Sequence, residues 1–273
     1  MTTVLITGAL GFIGKNLYEK SKLEFDKVVS IEEDIFEKDL WKEELIEELG
    51  RINPDAIFHV GACSDTLESN VNYMMTRNYE FTKVLVDWSS KNNKQLVYSS
   101  SAASYGENGS YPAHLYGWSK YIAEGYVISN GGVALRYFNV YGPGEEHKGK
   151  MASIAYQMFV KHNNKESIQL FPGKPTRDFI YIEDVVEANL HALENYETLK
   201  GNFYDVGFGE SKQFESVLEF LDIPYTHTSE LEVPKNYQYF TCANKEKMMK
   251  DWTPKHNLKK GIKKYKEYLC KTI

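Results

Sequence analysis

Short apolar runs rich in β-branched residues alternate with amphipathic stretches along the first half of the chain. The apolar runs predict strands over residues 3–7, 27–31, 55–60, 95–100 and 133–138, with a late strand near 203–206. The stretches between them predict helices that include residues 12–23, 39–49, 71–92 and 117–130. Continuous apolar strands that alternate with helices are typical of a parallel sheet covered on both faces. We therefore expect the α/β class, with a Rossmann-type doubly wound parallel sheet.

After residue 142 the alternation becomes less regular. We expect a dinucleotide-binding Rossmann domain formed by residues 1–142, together with late strands near 168–185 and 201–207. Residues 143–167 and 208–273 are expected to form a smaller C-terminal substrate-binding lobe. In doubly wound proteins ligands bind outside the carboxyl ends of the strands, so we expect the substrate between these two parts.

Composition excludes several classes of partner. The net charge of −6 and the absence of a basic block give no support for a nucleic-acid partner. The lysines of residues 259–266 alternate with apolar positions, as in an amphipathic surface helix. The spacing of the three cysteines indicates reduced thiols and no metal site. No apolar run approaches the roughly 18 residues of a membrane span, and a strand begins by Val4, which leaves no room for a signal peptide. We expect a cytoplasmic protein with no membrane partner.

A glycine triplet follows the first predicted strand and opens the first predicted helix. Gly8 permits a tight turn, Gly11 lets the backbone approach a pyrophosphate, and Gly14 allows the helix to pack closely on the sheet. The unpaired N–H groups at the start of the helix would face the phosphates. Since the strand and the helix are both in place, we interpret this segment as a dinucleotide-binding turn rather than a turn without a ligand.

Three acids, residues 32–34, end the second predicted strand, and Glu32 lies 18 residues after Gly14. An acid at this point accepts hydrogen bonds from the adenosine ribose hydroxyls. The three acids would repel a 2′-phosphate and no arginine is close in the sequence, so we favour NAD. Lys38 leaves NADP possible. The alternative interpretation is that some of these acids cap the helix that begins near Asp39.

Two side chains in mid-chain are candidates for proton transfer. Tyr116 and Lys120 are four residues apart, so on a helix both project from one face. A phenol with a pKa of about 10 is a poor base at neutral pH, and a nearby ammonium lowers that pKa by favouring the phenolate. Lys120 is also suited to hold the nicotinamide ribose. Ser101, at the end of the fourth predicted strand, is placed to hydrogen-bond the same oxygen. The alternative is an ordinary surface pair.

Five motifs form a set that covers nearly the whole chain. They are the glycine triplet, Ser101-Ala-Ala-Ser-Tyr105-Gly106, Tyr116-x-x-x-Lys120, Arg136-Tyr-Phe-Asn139-Val-Tyr-Gly142-Pro143 and Arg177-Asp178-Phe179-x-Tyr181-x-x-Asp184-Val185. As a set they resemble the extended short-chain dehydrogenases/reductases, the superfamily of nucleotide-sugar epimerases and dehydratases. The segments 59–68, 73–79, 147–153 and 237–241 resemble, within it, the ADP-L-glycero-D-manno-heptose 6-epimerase family.

The resemblance implies roles for individual residues. It implies that Tyr116 and Lys148 are the acid/base pair, and that Arg177 suits the substrate pyrophosphate, since a guanidinium fork matches phosphate oxygens. The candidate substrate-binding residues are Ser64, Asn139, Lys148, Lys150, Gln157, Phe171, Pro172, Gly173, Arg177 and Tyr237. The candidate cofactor-binding residues are Gly8, Gly11, Phe12, Ile13, Gly14, Glu32, Asp34, Ile35, Val60, Gly61, Ala62, Asn78, Tyr116, Lys120 and Val140. A homo-oligomer that serves lipopolysaccharide or capsule biosynthesis is implied as well.

The chain departs from the family's pattern at two side chains and in two shortened segments. Lys150 stands where the family has a small serine, and Gln157 replaces a substrate-contacting histidine. The stretch that normally holds a third strand is missing, because residues 31–35 run almost directly into the next helix. The loop between Gly106 and Tyr116 is also shortened. These departures leave the exact sugar and nucleobase open.

The leading hypothesis is a nucleotide-sugar epimerase. Tyr116 removes the hydroxyl proton while hydride passes to NAD(P), which leaves a keto intermediate. The hydride then returns to the opposite face, and Lys148 carries out the second proton transfer. A reductase or dehydrogenase on the same scaffold is the first alternative. A dehydratase is disfavoured, because Ala102 and Ala103 stand where an Asp-Glu pair is usual. A non-catalytic NAD(P)-binding sensor is the remote alternative.

Overall fold

The computed structural model describes residues 2–106, 111–170, 173–228 and 239–272. Its strands are β1 (Thr3–Thr7), β2 (Lys27–Ile31), β3 (Ala56–His59), β4 (Gln95–Ser101), β5 (Val133–Tyr137), β6 (Val140–Tyr141), β7 (Gln169–Leu170), β8 (Thr176–Asp178), β9 (Ile180–Tyr181), β10 (Asn202–Val206), β11 (Ser211–Gln213) and β12 (Thr226–His227). Its helices are α1 (Phe12–Glu24), α2 (Trp41–Ile52), α3 (Val71–Met75), α4 (Phe81–Lys91), α5 (Leu115–Ser129), α6 (Ile154–Asn163), α7 (Ile182–Glu194), α8 (Tyr196–Leu199), α9 (Phe214–Leu221) and α10 (Leu258–Thr272). The predicted α/β class is confirmed, and the six predicted strands are present.

A six-stranded sheet with the order β10-β5-β4-β3-β1-β2 organises the first part of the described chain. β1 pairs in parallel with β2 on one side and with β3 on the other, and β3 pairs in parallel with β4. In the usual doubly wound order a third strand lies outside the second. Here β2 is the edge strand and a 3₁₀ helix, Glu33–Glu37, follows it. The missing third strand, expected from the sequence, is therefore a feature of the described fold.

Apolar strand residues form the core of this sheet. Leu5, Ile57 and Leu96 are all at most 1% exposed and belong to one cluster, which also contains Leu45 and Leu49. The two leucines are one turn apart on α2, so they lie on the face of that helix that packs towards the sheet. The apolar strands thus form a parallel sheet on which helices pack, as the sequence pattern predicted.

The stretch 71–92, predicted as one helix, is divided by a π-helical turn. α3 ends at Met75, the π turn occupies Thr76–Glu80, and α4 begins at Phe81. A π turn inserts one extra residue per turn and changes which side chains face inwards, and such turns are frequent at functional sites. Here Asn78 is 1% exposed, whereas the side chain of Arg77 is 20% exposed. The predicted helical stretch is therefore present, and the π turn within it is a feature that the sequence did not predict.

The chain divides into two compact units. The first contains Met1–Arg136 and Val186–Tyr204, and the second contains Tyr137–Val185 and Asp205–Ile273. Residues 168–185, which the sequence analysis grouped with the dinucleotide-binding domain, fall in the second unit. Three short two-stranded sheets, β6-β9, β8-β11 and β7-β12, occur in the described part of the second unit.

The C-terminal lysine-rich segment forms α10, whose apolar side chains are buried. Ile262, Tyr265 and Leu269 are each at most 1% exposed, which confirms the amphipathic surface helix. All three cysteines lie among the described residues and are free thiols. No helix in the described ranges combines the length and the hydropathy needed to cross a membrane.

Candidate active site

The glycine triplet forms a tight turn at the carboxyl end of β1. Gly8 has φ +69°, and a Cβ atom on it would lie 2.6 Å from the Cα atom of Gly61, in the loop after β3. A Cβ atom on Gly14 would lie 2.0 Å from the carbonyl oxygen of Gly8. The N–H of Gly11 donates to that same oxygen at 3.0 Å. Backbone therefore approaches backbone at the start of α1, as expected of a turn built to receive a dinucleotide.

The first acid after β2 contacts this turn. The Glu32 carboxylate accepts hydrogen bonds from the N–H of Ala9 at 2.9 Å and from the N–H of Leu10 at 3.2 Å. α2 has Leu40 as its N-cap, with no side-chain capping bond. The alternative interpretation, in which the acids cap the helix near Asp39, is therefore not what the structure has.

An arginine that is remote in the sequence reaches the second acid. The Nε atom of Arg77 donates to Glu33 at 2.9 Å, although the two residues are 44 positions apart. The guanidinium carbon lies 3.7 Å from the centre of the Tyr73 ring and 4.8 Å from that of Phe36. No arginine is close to these acids in the sequence, but the structure places one beside them in space.

Tyr116 lies in the first turn of α5, and two features fix the start of this helix. The Nδ1 atom of His114, the N-cap residue, accepts from the N–H of Gly117 at 3.1 Å. A Cβ atom on Gly117 would lie 2.5 Å from the carbonyl oxygen of Ala103, so only glycine lets α5 pack this closely on the segment after β4. The Ser101 hydroxyl hydrogen-bonds the Tyr116 phenol. Ser101 and Tyr116 are thus brought together as predicted.

Lys120 is buried, with 3% of its surface exposed, and its Nζ atom lies 4.5 Å from the centre of the Tyr98 ring. Burial lowers the pKa of Lys120 to about 7, and the carboxylate of Glu124 opposes that shift. Burial raises the pKa of Tyr116, and the hydrogen bond from Ser101 opposes it. The expectation that Lys120 lowers the pKa of Tyr116 is therefore not met here, because loss of hydration is the largest effect on both groups.

A buried ion pair lies one helical turn beyond Lys120. Glu124, which is 2% exposed, accepts hydrogen bonds from Arg136 and, at 2.6 Å, from the Ser100 hydroxyl. The Arg136 guanidinium carbon lies 4.1 Å from the centre of the Tyr105 ring and 3.8 Å from that of Phe203. Breaking such a pair leaves an uncompensated buried charge, so it holds β4, β5 and α5 in register.

Asn78 connects two segments of the predicted cofactor site. Its side-chain oxygen accepts from the N–H of Cys63 at 2.8 Å, and its amide nitrogen donates to the carbonyl of Cys63 and to the Ser119 hydroxyl, both at 2.9 Å. Ser119 directly precedes Lys120. Asn78 therefore ties the loop after β3 to α5, an arrangement that supports the predicted site from within the core.

His59, at the end of β3, has a defined tautomer. The Thr82 hydroxyl donates to the carbonyl of Asn78 at 2.7 Å, so it accepts from Nε2–H of His59, 2.8 Å away. Nδ1 of His59 then accepts from the Thr7 hydroxyl at 2.8 Å, and the N–H of Gly61 donates to that hydroxyl oxygen at 3.0 Å. Burial holds the pKa of His59 well below its usual range. A neutral histidine thus supports the loop that meets the glycine turn.

In the second unit, Lys148 lies on a loop organised by Glu145. The Glu145 carboxylate is fully buried and accepts from the N–H of Gly142, the Ser153 hydroxyl and the Tyr265 hydroxyl at 3.2, 2.7 and 2.9 Å. The N–H of Lys148 donates to the carbonyl of Glu145 at 3.0 Å. Burial lowers the pKa of Lys148, and Glu145 opposes that shift. Burial is therefore the main cause of the lowered pKa of Lys148.

The other candidate substrate residues of the second unit are partly engaged in its own structure. The Asn139 side chain donates to the carbonyl of Asp178 at 3.1 Å, and Arg177 donates to the carbonyl of Thr176 at 2.9 Å. The Gln157 amide donates to the carbonyl of Ala152 at 2.7 Å. Gly173 has φ +96°. Lys150 is exposed and Val140 is half-buried. Phe171, Pro172 and Tyr237 lie outside the described residues.

The remaining candidates of the first unit lie around the cofactor turn and its neighbouring loops. Phe12 is buried, Ile13, Ile35, Val60 and Gly61 are half-buried, and Asp34, Ala62 and Ser64 are exposed. Sequence reasoning did not single out Arg77, His114, Gly117 or Glu124. The i, i+4 spacing of Lys120 and Glu124 was a usable signal for one of them. Arg77 has no such signal, because its partner is remote in the sequence.

Comparison with known proteins agrees with this geometry. The model of the NAD dependent epimerase/dehydratase family matches residues 4–207. The chain is 33% identical to the ADP-L-glycero-D-manno-heptose-6-epimerase of Brachyspira hyodysenteriae, with 98% of each chain covered. It is 35% identical to the enzyme of the same name from Cupriavidus pinatubonensis, with 79% of this chain and 76% of that one covered. The crystal structure of Helicobacter pylori ADP-L-glycero-D-manno-heptose-6-epimerase superposes with a TM-score of 0.81 at 28% identity, over 98% of this chain and 96% of that one.

Proposed function

Because this chain belongs to the NAD-dependent epimerase/dehydratase family, we propose that it is a nucleotide-sugar epimerase, most like an ADP-glycero-manno-heptose 6-epimerase. The observation that carries the proposal is the joining of Ser101 to Tyr116 at the start of α5, with Lys120 buried one turn later. Relatives named as heptose 6-epimerases supply the substrate class.

The first unit fits a dinucleotide. Gly8 and Gly14 leave no room for a Cβ atom in a turn that opens α1, and that turn presents N–H groups at a helix N-terminus, which suits a pyrophosphate. When bound there, NAD would supply the hydride chemistry at the carbinol carbon, and the glycine turn and Lys120 would hold it. We propose that the first unit binds this cofactor and that the lobe of the second unit binds the sugar nucleotide.

The side chains of the chain supply the proton transfers. Tyr116, as the phenolate, takes the proton from the substrate hydroxyl and becomes a phenol. The Ser101 hydroxyl stabilises the phenolate that precedes this transfer by its hydrogen bond. Lys120, buried one helical turn after Tyr116, holds the nicotinamide ribose. Epimerisation inverts the carbinol carbon, so the alkoxide oxygen points in different directions before and after. Lys148, with a pKa lowered by burial, supplies the second proton transfer.

The segment after β4 supports an epimerase over a dehydratase. Ala102 and Ala103 lie in the 3₁₀ helix Ala102–Ser104 that follows Ser101, and they offer no carboxylic acid to expel a substrate hydroxyl. A reductase on the same scaffold differs in its stoichiometry, because it consumes reduced cofactor, whereas an epimerase returns its cofactor unchanged. We further propose that the enzyme acts in the cytoplasm as a homo-oligomer, which light scattering after size-exclusion chromatography tests.

A panel of ADP-, GDP-, UDP- and dTDP-sugars tests the proposal. We expect an ADP-heptose to raise the unfolding temperature most and to be converted to its 6-epimer, followed by NMR, with no net oxidation or reduction of the cofactor. Net oxidation of NADH with a keto-sugar would assign a reductase instead. Cofactor binding without conversion of any sugar would favour a dinucleotide-binding sensor.

A further inference from the structure

The carboxyl end of β2 carries a feature that the epimerase chemistry does not use. In the doubly wound fold this position lies beside the adenosine ribose, where an acid binds the 2′-hydroxyl of NAD or an arginine accommodates the 2′-phosphate of NADP. This chain has both groups there, since Glu33 of the 3₁₀ helix accepts a hydrogen bond from Arg77 at 2.9 Å. Glu32 at the same strand end contacts the glycine turn through Ala9 and Leu10.

Contacts with two aromatic rings fix the orientation of the Arg77 guanidinium, which suits it to bind an anion. Its guanidinium stacks on the Tyr73 ring at 3.7 Å and lies 4.8 Å from the centre of the Phe36 ring. Its side chain is 20% exposed, whereas that of Glu33 is 70% exposed. A stacked guanidinium loses less rotamer freedom when it binds a phosphate, because its plane is already fixed. The arginine is therefore the packed member of the pair and the acid is the solvent-exposed one.

The absence of the third strand explains why Arg77 reaches this place. β2 is the edge of the sheet in the described residues, and the 3₁₀ helix Glu33–Glu37 follows it directly in the chain. The π turn Thr76–Glu80 directs Asn78 into the core and leaves Arg77 on the side of Phe36. The cation thus comes from a different element from the acids, 44 positions along the chain.

We propose that the Arg77–Glu33 ion pair determines which dinucleotide the protein binds. Glu33 occupies the guanidinium that would otherwise bind an adenosine 2′-phosphate, and the carboxylate itself repels that dianion, so the wild-type protein selects NAD. The inference rests on the proposed function, because it specifies the cofactor preference of that same site.

The test is a competition between cofactors. Purified protein is incubated with equal concentrations of NAD and NADP, free nucleotide is removed, and the dinucleotides released on denaturation are quantified by mass spectrometry. Glu33→Gln preserves the shape of the side chain and removes its charge. We expect this variant to raise the ratio of bound NADP to bound NAD by about tenfold or more, the typical worth of a charge-assisted hydrogen bond.

Three further variants separate the ion pair from general charge effects. Glu37→Gln removes the same charge at the other end of the 3₁₀ helix, where Glu37 is exposed, and we expect it to change the ratio less than twofold. In the double variant Glu33→Gln with Arg77→Met the gain should be lost, whereas Glu33→Gln with Lys38→Met should keep it. The unfolding temperature of each variant reports whether its fold is intact, and its NAD affinity reports whether the glycine turn still binds the dinucleotide.

Three outcomes would overturn the inference. These are a wild-type protein that prefers NADP, a Glu33→Gln variant that binds NAD normally with an unchanged ratio, and a gain that persists after Arg77→Met. Each of these outcomes is compatible with the proposed epimerase function. A wild-type protein that binds neither dinucleotide would instead refute the proposed function, and this inference with it.

Discussion

The Nζ atom of Lys120 lies 4.5 Å from the centre of the Tyr98 ring, and both side chains are buried. The face of an aromatic ring attracts a cation, and this attraction is stronger where water is excluded. Glu124, one turn along α5, adds a second source of stabilisation for the ammonium. The charge of Lys120 is therefore maintained by neighbouring side chains rather than by water, and its proton is held weakly enough to titrate near neutrality.

The pH dependence of activity should follow from this arrangement. Lys120 is an ammonium below its pKa of about 7 and neutral above it. We propose that the ammonium holds the nicotinamide ribose, so activity should fall on the alkaline side as Lys120 loses its proton. Glu124→Gln removes the charge that raises the pKa, so the alkaline limb should move to lower pH by about one unit. His59 and Tyr98 also face Lys120, and neither changes in this variant.

The pH–rate profile of the wild-type protein and of Glu124→Gln measures this shift. Glu19→Gln is the control, because Glu19 forms an exposed pair with Lys22 on α1. An alkaline limb that stays in place in a folded Glu124→Gln protein would show that Lys120 is not the titrating group.

Tyr116→Phe should retain the fold and lose activity. The substitution removes the phenolic oxygen that Ser101 hydrogen-bonds and leaves the ring, and a general acid/base typically contributes roughly 10² to 10⁴ in rate. Turnover of the nucleotide sugar measures the loss, with Tyr111→Phe as the control, since Tyr111 is 70% exposed and stacks on Trp118. Activity within a factor of two of wild type would exclude Tyr116 from proton transfer.

Lys148→Met should separate an acid/base from a phosphate ligand. Burial lowers the pKa of Lys148, which increases the neutral fraction available as a base at a given pH. If Lys148 transfers the second proton, kcat should fall with little change in KM. A higher KM with an unchanged kcat would instead assign it to binding. Lys150→Met, at the exposed neighbour, shows whether any cation in this loop gives the same response.

Gly14→Ala should impair both stability and cofactor binding. The added Cβ would lie 2.0 Å from the carbonyl oxygen of Gly8, so the backbone of the turn has to move, at a cost of about 1–3 kcal/mol or more. Gly50→Ala is the matched control, because Gly50 lies within α2 with no atom within 4 Å of the added Cβ. That change should be neutral or stabilise by about 0.5–1 kcal/mol. Equal unfolding temperatures and NAD affinities for the two variants would contradict the steric argument.

Local features of the fold and of the candidate site could be read directly from the sequence. The apolar runs predicted the strands, because a strand buried on both faces needs an apolar residue at nearly every position. The spacing of Gly8, Gly11 and Gly14 predicted a turn, because only glycine tolerates the backbone contacts there. The interval between Tyr116 and Lys120 predicted one helix face, because it equals about one helical turn.

Tertiary structure alone decided which distant groups meet. Arg77 reaches Glu33 from 44 positions away, and Glu124 forms its buried pair with Arg136. No period or spacing encodes such contacts, since they depend on how helices pack on the sheet. The directions in which the pKa values of Tyr116 and Lys120 shift also depend on the tertiary structure. Sequence gives the neighbouring charges, but the loss of hydration that dominates both shifts exists only once the chain has folded around them.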